Sequence, residues 1–249
     1  MSASIALIGG SGLSRGLKGL DVQESVPVTT PYGEASADLQ RGRLAETDLF
    51  FLPRHGGSHS LPPHKINYRA NIAALAEAGV KRIVAVNAVG GITRDMGPGV
   101  IAIPNQIIDY SWGRESTFFD GELQPLDHVD FSEPYTQSLR QGLIQAGHEG
   151  GINCVDYGVY GCTQGPRLET AAEIEKLRRD GCDLVGMTAM PEAVLARELG
   201  LEYAAICLVV NWGAGIQKEP ITMDQINQCL DTGLGRVGDL LESFLPILD

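Results

Sequence analysis

The chain has 249 residues, 43% of them apolar and 20% charged, a balance that excludes extensive disorder and supports a core without disulfides or metal. Acidic residues outnumber basic ones by 31 to 19, giving a formal charge of -12, and no Lys/Arg cluster offers a nucleic acid the basic stripe it needs. The longest apolar stretch, 203–210, is far short of the ~20 residues that cross a bilayer, and residues 1–10 lack a signal peptide's basic leader, so no membrane partner and a cytoplasmic location are expected.

No repeat, low-complexity tract or charged linker divides the chain, so residues 1–249 are read as a single domain. Apolar or alternating runs predict strands over 4–8, 48–52, 83–87, 100–103, 155–162, 183–187 and 203–210. Helical spacing appears over 67–78, 135–146, 169–179, 192–199 and 223–245. The last of these opens on Thr222-Met223-Asp224-Gln225, a capping-box pattern. Strands alternating with helices, several ending at Gly79, Gly181 or Gly200, give an α/β fold with a central mixed sheet flanked by helices. The five cysteines, 154, 162, 182, 207 and 229, form no C-x-x-C pair and have no His at zinc-ligand spacing, so they read as reduced thiols in or near the core.

In such folds ligands gather at the carboxyl ends of strands, and the chain's polar residues concentrate there. The first strand runs into Ile8-Gly9-Gly10-Ser11-Gly12-Leu13, which fails both the dinucleotide and the NTPase fingerprints; a tight turn and a phosphate cradle are both open. A second ends in Pro53-Arg54-His55-Gly56, offering a planar cationic fork and an adjustable donor, against the alternative of a solvated Arg and a turn-capping His. His64, nearby, reads as structural or exposed. A third provides Asn87 and the Ala88 backbone. A fourth ends in Met187-Thr188, where Thr188 is either an anion donor or a helix N-cap and Met187 either a sugar plate or core. A fifth ends in Asn211-Trp212-Gly213, whose amide either reads a ligand or caps backbone. No loop shows a nucleophile triad or metal-ligand spacing, so the set suits an inorganic anion beside an uncharged ring.

These segments resemble the trimeric purine nucleoside phosphorylases, and within them the methylthioadenosine/methylthioinosine branch. The resemblance spans nearly the whole chain. It rests on Gly9-Gly10-Ser11-Gly12-Leu13, Pro53-Arg54-His55-Gly56, Asn67-Tyr68-Arg69-Ala70-Asn71-Ile72, Gln164-Gly165-Pro166-Arg167-Leu168-Glu169-Thr170 and Gly186-Met187-Thr188-Ala189-Met190-Pro191-Glu192. It implies that phosphate attacks the anomeric carbon of a purine nucleoside, with inorganic phosphate as co-substrate and no metal or organic cofactor. It also implies a homotrimer. Ser11, Arg54, His55, Asn87, Ala88 and Thr188 would form the phosphate clamp, with Met187 on the ribose and His59 near phosphate and sugar. Leu168 and Glu169 would line the base pocket, and His128 would reach a neighbouring subunit's 5′ pocket. Leu168 stands where relatives often have Phe.

Two departures within the family bear on the substrate. The 5′-pocket segment 220–226 presents Ile221, Met223 and Ile226 and no partner for a hydroxyl, which favours a methylthio group; the alternative for Ile226 is a core contact of the last helix. Where methylthioadenosine-cleaving relatives carry Asp-x-Asp, this chain has Asn211-Trp212-Gly213, so a 6-oxopurine is expected, read by Asn211 with Glu169, Gly213 and Met223 as further specificity positions. The alternatives are methylthioadenosine, with adenine read through water or Glu169, and a general phosphorylase of inosine and guanosine. A non-enzymatic sensor on the same fold would have lost the clamp, and every clamp position holds a competent residue.

Overall fold

A computed structural model describes the chain apart from residues 1–3, 11–12, 14–16, 18, 59, 122, 124–125 and 249. Its strands are β1 (Ile5–Gly9), β2 (Asp21–Val26), β3 (Thr29–Thr30), β4 (Gly33–Glu34), β5 (Leu39–Leu44), β6 (Thr47–Pro53), β7 (Arg82–Gly91), β8 (Ile101–Ala102), β9 (Gln106–Asp109), β10 (Cys154–Val155), β11 (Val159–Cys162), β12 (Leu184–Gly186) and β13 (Glu202–Trp212). The helices are α1 (Tyr68–Glu77), α2 (Gln137–Glu149), α3 (Ala171–Arg179), α4 (Ala189–Glu198) and α5 (Met223–Phe244). Among the described residues an eleven-stranded mixed sheet unites all the strands but β3 and β4.

The sheet's spine is the parallel set β13-β7-β1-β6. These strands are buried on both faces, which is why they read as continuous apolar runs rather than alternations. Successive side chains nonetheless sort to opposite sides. Ala6, Ile8, Phe50, Leu52, Ile83, Tyr203, Ala205 and Cys207 join one core with α1 and α4. Ile5, Leu7, Leu49, Phe51, Val84, Ala204, Ile206 and Leu208 join the other with α2 and α5. Strands β6, β5 and β2 continue the sheet antiparallel, while β12 pairs antiparallel with the end of β7 and carries β11 and β9 beside it in parallel. The sheet therefore forks at its carboxyl edge, and the fork is where a ligand can enter.

The predicted alternation and the mixed sheet are present, with differences that have physical causes. Strands β2, β5 and β9 are absent from the sequence reading. Asp21–Val26 lies exposed along almost its whole length, so it shows no apolar pattern and owes its conformation to ladder bonds with β5. The predicted strand over 155–162 divides into β10 and β11 because Gly158 takes φ +148 between them. At α5, Thr222 accepts from the Gln225 backbone N–H at 3.3 Å, which is half of the expected box. The reciprocal box forms instead at α3, between Thr170 and Glu173 at 3.1 and 2.7 Å. All five cysteines are unpaired, with 162, 182 and 207 buried. Burial pushes the Cys162 thiol up to about 12, far from a reactive thiolate. No helix among the described residues is long and apolar enough to cross a membrane.

One glycine holds the fork in shape. A Cβ on Gly91 would stand 1.7 Å from the Met96 carbonyl oxygen, which is backbone and cannot give way. Gly91→Ala is therefore expected to lower unfolding free energy by at least ~2 kcal/mol. Gly57→Ala, at an exposed site with nothing within 4 Å, should change it by under ~0.5 kcal/mol. Urea denaturation of the two variants checks the contrast; equal stabilities would remove the tight turn from the argument.

Candidate active site

A cavity of about 430 Å³ opens at the fork. The carboxyl ends of β1, β6, β7, β12 and β13 form its floor and walls, and the start of α5 closes one flank. Ala88 marks the place within β7: its neighbours on the strand are buried, and it alone is exposed. Thirteen of the residues singled out from sequence line this cavity: Arg54, His55, Asn87, Ala88, Leu168, Glu169, Met187, Thr188, Asn211, Gly213, Ile221, Met223 and Ile226. Ser11 and His59 lie outside the described residues.

Arg54 forms the floor and is 1% exposed. A buried guanidinium needs a counter-charge, and Glu192 supplies it from α4 through two 2.7 Å bonds, Nε to Oε2 and Nη2 to Oε1. Glu192 is 0% exposed and also accepts from the Tyr203 hydroxyl at 2.9 Å. Burial acts to lower the Arg54 pKa, but the charge and bonds of Glu192 outweigh it and hold it above the ordinary value. Arg54 further donates through Nη1 to the Val86 carbonyl and through Nη2 to Asn87 Oδ1, at 3.2 and 3.4 Å. Four of the guanidinium's five N–H groups are thus committed to the protein, two to Glu192 and one each to Val86 and Asn87. Among the described residues, one N–H on Nη1 remains.

This arrangement orients the neighbours. Arg54 can only donate, so Asn87 turns its carbonyl oxygen toward it and its NH₂ toward Thr188 Oγ1, at 3.3 Å. Thr188 therefore accepts from Asn87 and keeps its own O–H as a donor. Its side chain makes no cap bond to α4, so the N-cap alternative is not the one adopted. His55 Nδ1 lies 2.9 Å from the Leu61 carbonyl, which can only accept; that nitrogen carries the proton and the ring is fixed.

A second group of lining residues adds a carboxylate and an amide. Thr163 donates to Glu169 Oε1 at 2.6 Å, holding the carboxylate against the wall. A β-bulge between Val209 and Asn211 shifts the register of β13, as bulges near sites do, and brings Asn211 opposite Gly90. Asn211 Nδ2 donates to the Trp212 carbonyl at 2.7 Å, which leaves Oδ1 and one N–H of the amide uncommitted among the described residues. Gly213 is hemmed in, since a Cβ there would stand 3.0 Å from two Ile174 methyl carbons and 3.3 Å from the Gly91 carbonyl. The cavity also has an apolar lining: Leu13, Val210, Ile221, Ile226, Leu230 and Leu234. Met223 also lines it, at the exposed rim of α5.

Two expected residues are not brought into the cavity. The Trp212 ring packs over Gly97 in an adjoining pocket, because the strand's alternation points it away from Asn211, and only its carbonyl serves the site. His128 is exposed and does not line the cavity of a single chain. Conversely, sequence reasoning assigned no part to Glu192 or Thr163. Glu192 carried a usable signal, as the one charged residue between Asp183 and Arg197 in an otherwise apolar run. Thr163 carried none.

Residues 4–246 match the model of the phosphorylase superfamily, and the chain belongs to that superfamily. Among its relatives, a probable S-methyl-5′-thioinosine phosphorylase of Pseudomonas syringae pv. tomato is 54% identical over 93% of this chain and 94% of its own. A 6-oxopurine nucleoside phosphorylase of Pyrococcus furiosus is 43% identical over 98% of this chain and 92% of its own. A solved structure of methylthioadenosine phosphorylase from Schistosoma mansoni in complex with adenine superposes with a TM-score of 0.93 at 33% identity, covering 99% of this chain and 92% of that one. The protein is an enzyme of the phosphorylase type with the nucleoside phosphorylase fold.

The floor makes a stability prediction of its own. Glu192→Leu strands a buried cation and Arg54→Leu a buried carboxylate, and each should cost about 3–5 kcal/mol of unfolding free energy. The Arg54→Leu/Glu192→Leu double variant should recover most of that loss, because an apolar pair of similar volume replaces a desolvated ion pair. Denaturant titration of the three proteins decides it; additive losses in the double variant would mean the two residues do not act as a pair.

Proposed function

We propose that the enzyme cleaves S-methyl-5′-thioinosine with inorganic phosphate, giving hypoxanthine and 5-methylthioribose 1-phosphate and using no other cofactor. The observation that carries this reading is the make-up of one cavity, whose lining combines oriented donors, a fixed carboxylate and amide, and a set of apolar side chains.

Among the donors, the Thr188 hydroxyl, the remaining Arg54 N–H and the backbone at Asn87–Ala88 would hold phosphate, with His55 beside them. Phosphate attacks the anomeric carbon as the C–N bond breaks and its electron pair leaves with the purine. The sugar becomes oxocarbenium-like, and the neighbouring phosphate dianion stabilises that positive charge electrostatically. Met187 would lie against the sugar. The chain supplies positioning and preorganised dipoles, and no enzyme nucleophile takes part.

Toward the base, the fixed Glu169 carboxylate accepts and cannot donate. A 6-oxopurine carries N1–H and satisfies it; adenine presents a lone pair at N1 and leaves it unpaired. Asn211 offers its oxygen to a proton at N7 and its remaining N–H to O6. The 6-oxopurine names of the relatives point the same way. The apolar flank favours methylthio over hydroxyl at the 5′ position. We further place the enzyme in the cytoplasm as a homotrimer, with His128 reaching a neighbouring 5′ pocket; its exposure, and that of Leu126 two residues before it at 72%, supports a contact surface there.

Steady-state kinetics test the base. Catalytic efficiency on methylthioinosine should exceed that on methylthioadenosine by at least ~10–100-fold, the consequence of one unpaired buried polar group. Asn211→Asp should narrow the ratio. An acid at Gly213 as well requires Ile174→Ala to make room for it. A preference of the unmodified enzyme for methylthioadenosine would refute the assignment of Glu169 and Asn211.

Inosine tests the flank. Its efficiency should fall roughly 10²-fold below that of methylthioinosine, the usual limit for an apolar pocket meeting a hydroxyl. Equal efficiencies on the two nucleosides would contradict the apolar 5′ pocket.

A further inference from the structure

Arg114 lies outside the cavity and outside every motif discussed so far, in the segment between β9 and α2. Its guanidinium nevertheless joins two loops that carry different parts of the site. Nη2 donates to the Thr163 and Gln164 carbonyls at 3.2 and 2.9 Å, on the loop that leads to Leu168 and Glu169. Nη1 donates to the Met187 carbonyl at 2.9 Å and to the Met190 carbonyl, on the loop that carries Met187 and Thr188. Nε donates to Gln164 Oε1 at 3.2 Å.

These bonds occupy all five N–H groups, one on Nε, two on Nη1 and two on Nη2, and Nη1 also lies 3.4 Å from the Tyr68 hydroxyl. None remains for a ligand, so Arg114 acts through other residues. The guanidinium also lies 5.4 Å from the Tyr68 ring centroid, and among the described residues no carboxylate pairs with it. A cation satisfied by backbone carbonyls of two loops ties those loops together more than it balances charge. Lysine cannot replace it, since an ammonium has three donors and no planar fork.

We infer that Arg114 is a positioning residue that sets the base-reading loop at a fixed distance from the loop holding sugar and phosphate. This rests on the phosphorolysis reading. In that reaction the attacking oxygen and the leaving purine stand on opposite sides of one carbon, so their relative placement governs the rate. Binding of either ligand alone needs only its own loop. Loosening the tie should therefore lower kcat while leaving the separate affinities in place.

The test is Arg114→Met in the full chain, assayed with phosphate on the nucleoside that the unmodified enzyme cleaves fastest. Binding of hypoxanthine alone and of phosphate alone is measured in parallel by calorimetry. We expect kcat to fall about 100-fold, the effect of an ångström-scale misplacement, with each separate affinity changed by less than about threefold. Arg114→Lys should fall between the two, and carries the same comparison if Arg114→Met does not fold. An unchanged kcat overturns the inference, and so does a loss of either separate affinity as large as the loss of kcat. An unmodified enzyme that cleaves no purine nucleoside with phosphate overturns the phosphorolysis reading itself, and this inference with it.

Discussion

The site is organised around a single buried ion pair. Arg54 and Glu192 come from residues 138 positions apart, and each would be intolerable where it lies without the other. Their bond fixes β6 to α4 beneath the sheet's carboxyl edge. Because the guanidinium it holds in place can only donate, it also dictates which way Asn87 turns, and through Asn87 which way the Thr188 hydroxyl points. A floor held this way has little freedom to reorganise when charge develops above it, which is the condition for electrostatic catalysis without reorganisation cost.

The pairing changes how an anion is held. A chain with formal charge -12 presents an unfavourable field to phosphate, and the most deeply placed cation at the site is already neutralised by Glu192. On the proposed reading, what remains for the anion is a set of oriented dipoles: the Thr188 hydroxyl, a backbone edge and one Arg54 N–H. Such dipoles act over short range and in fixed directions. On that reading, selectivity for a tetrahedral oxyanion would come from geometry more than from charge.

Much of this was legible in the residues. Apolar runs located every strand of the parallel spine, and the polar residues after them located the cavity, since a strand buried on both faces can expose function only beyond its end. Asp21–Val26 escaped notice because an edge strand needs only ladder bonds and shows no apolar signature. Trp212 was misplaced for a related reason: it neighbours Asn211 in sequence, but period-two alternation sends it to the other side of the strand.

What the sequence by itself determined was the set of polar groups at strand ends, the side chains at 54, 55, 87, 188 and 211, which follow from local pattern; the parts of Glu169, Ile221 and Ile226 came from the family resemblance. Only the tertiary structure decided how each group is committed. That Arg54 has one N–H left, that Thr188 donates rather than caps, that Glu169 is held by Thr163, and that Gly213 has no room for an acid are all consequences of contacts between distant segments. A hydrogen-bonding group has a fixed number of donors and lone pairs, and what remains for a ligand is whatever the fold has not already used.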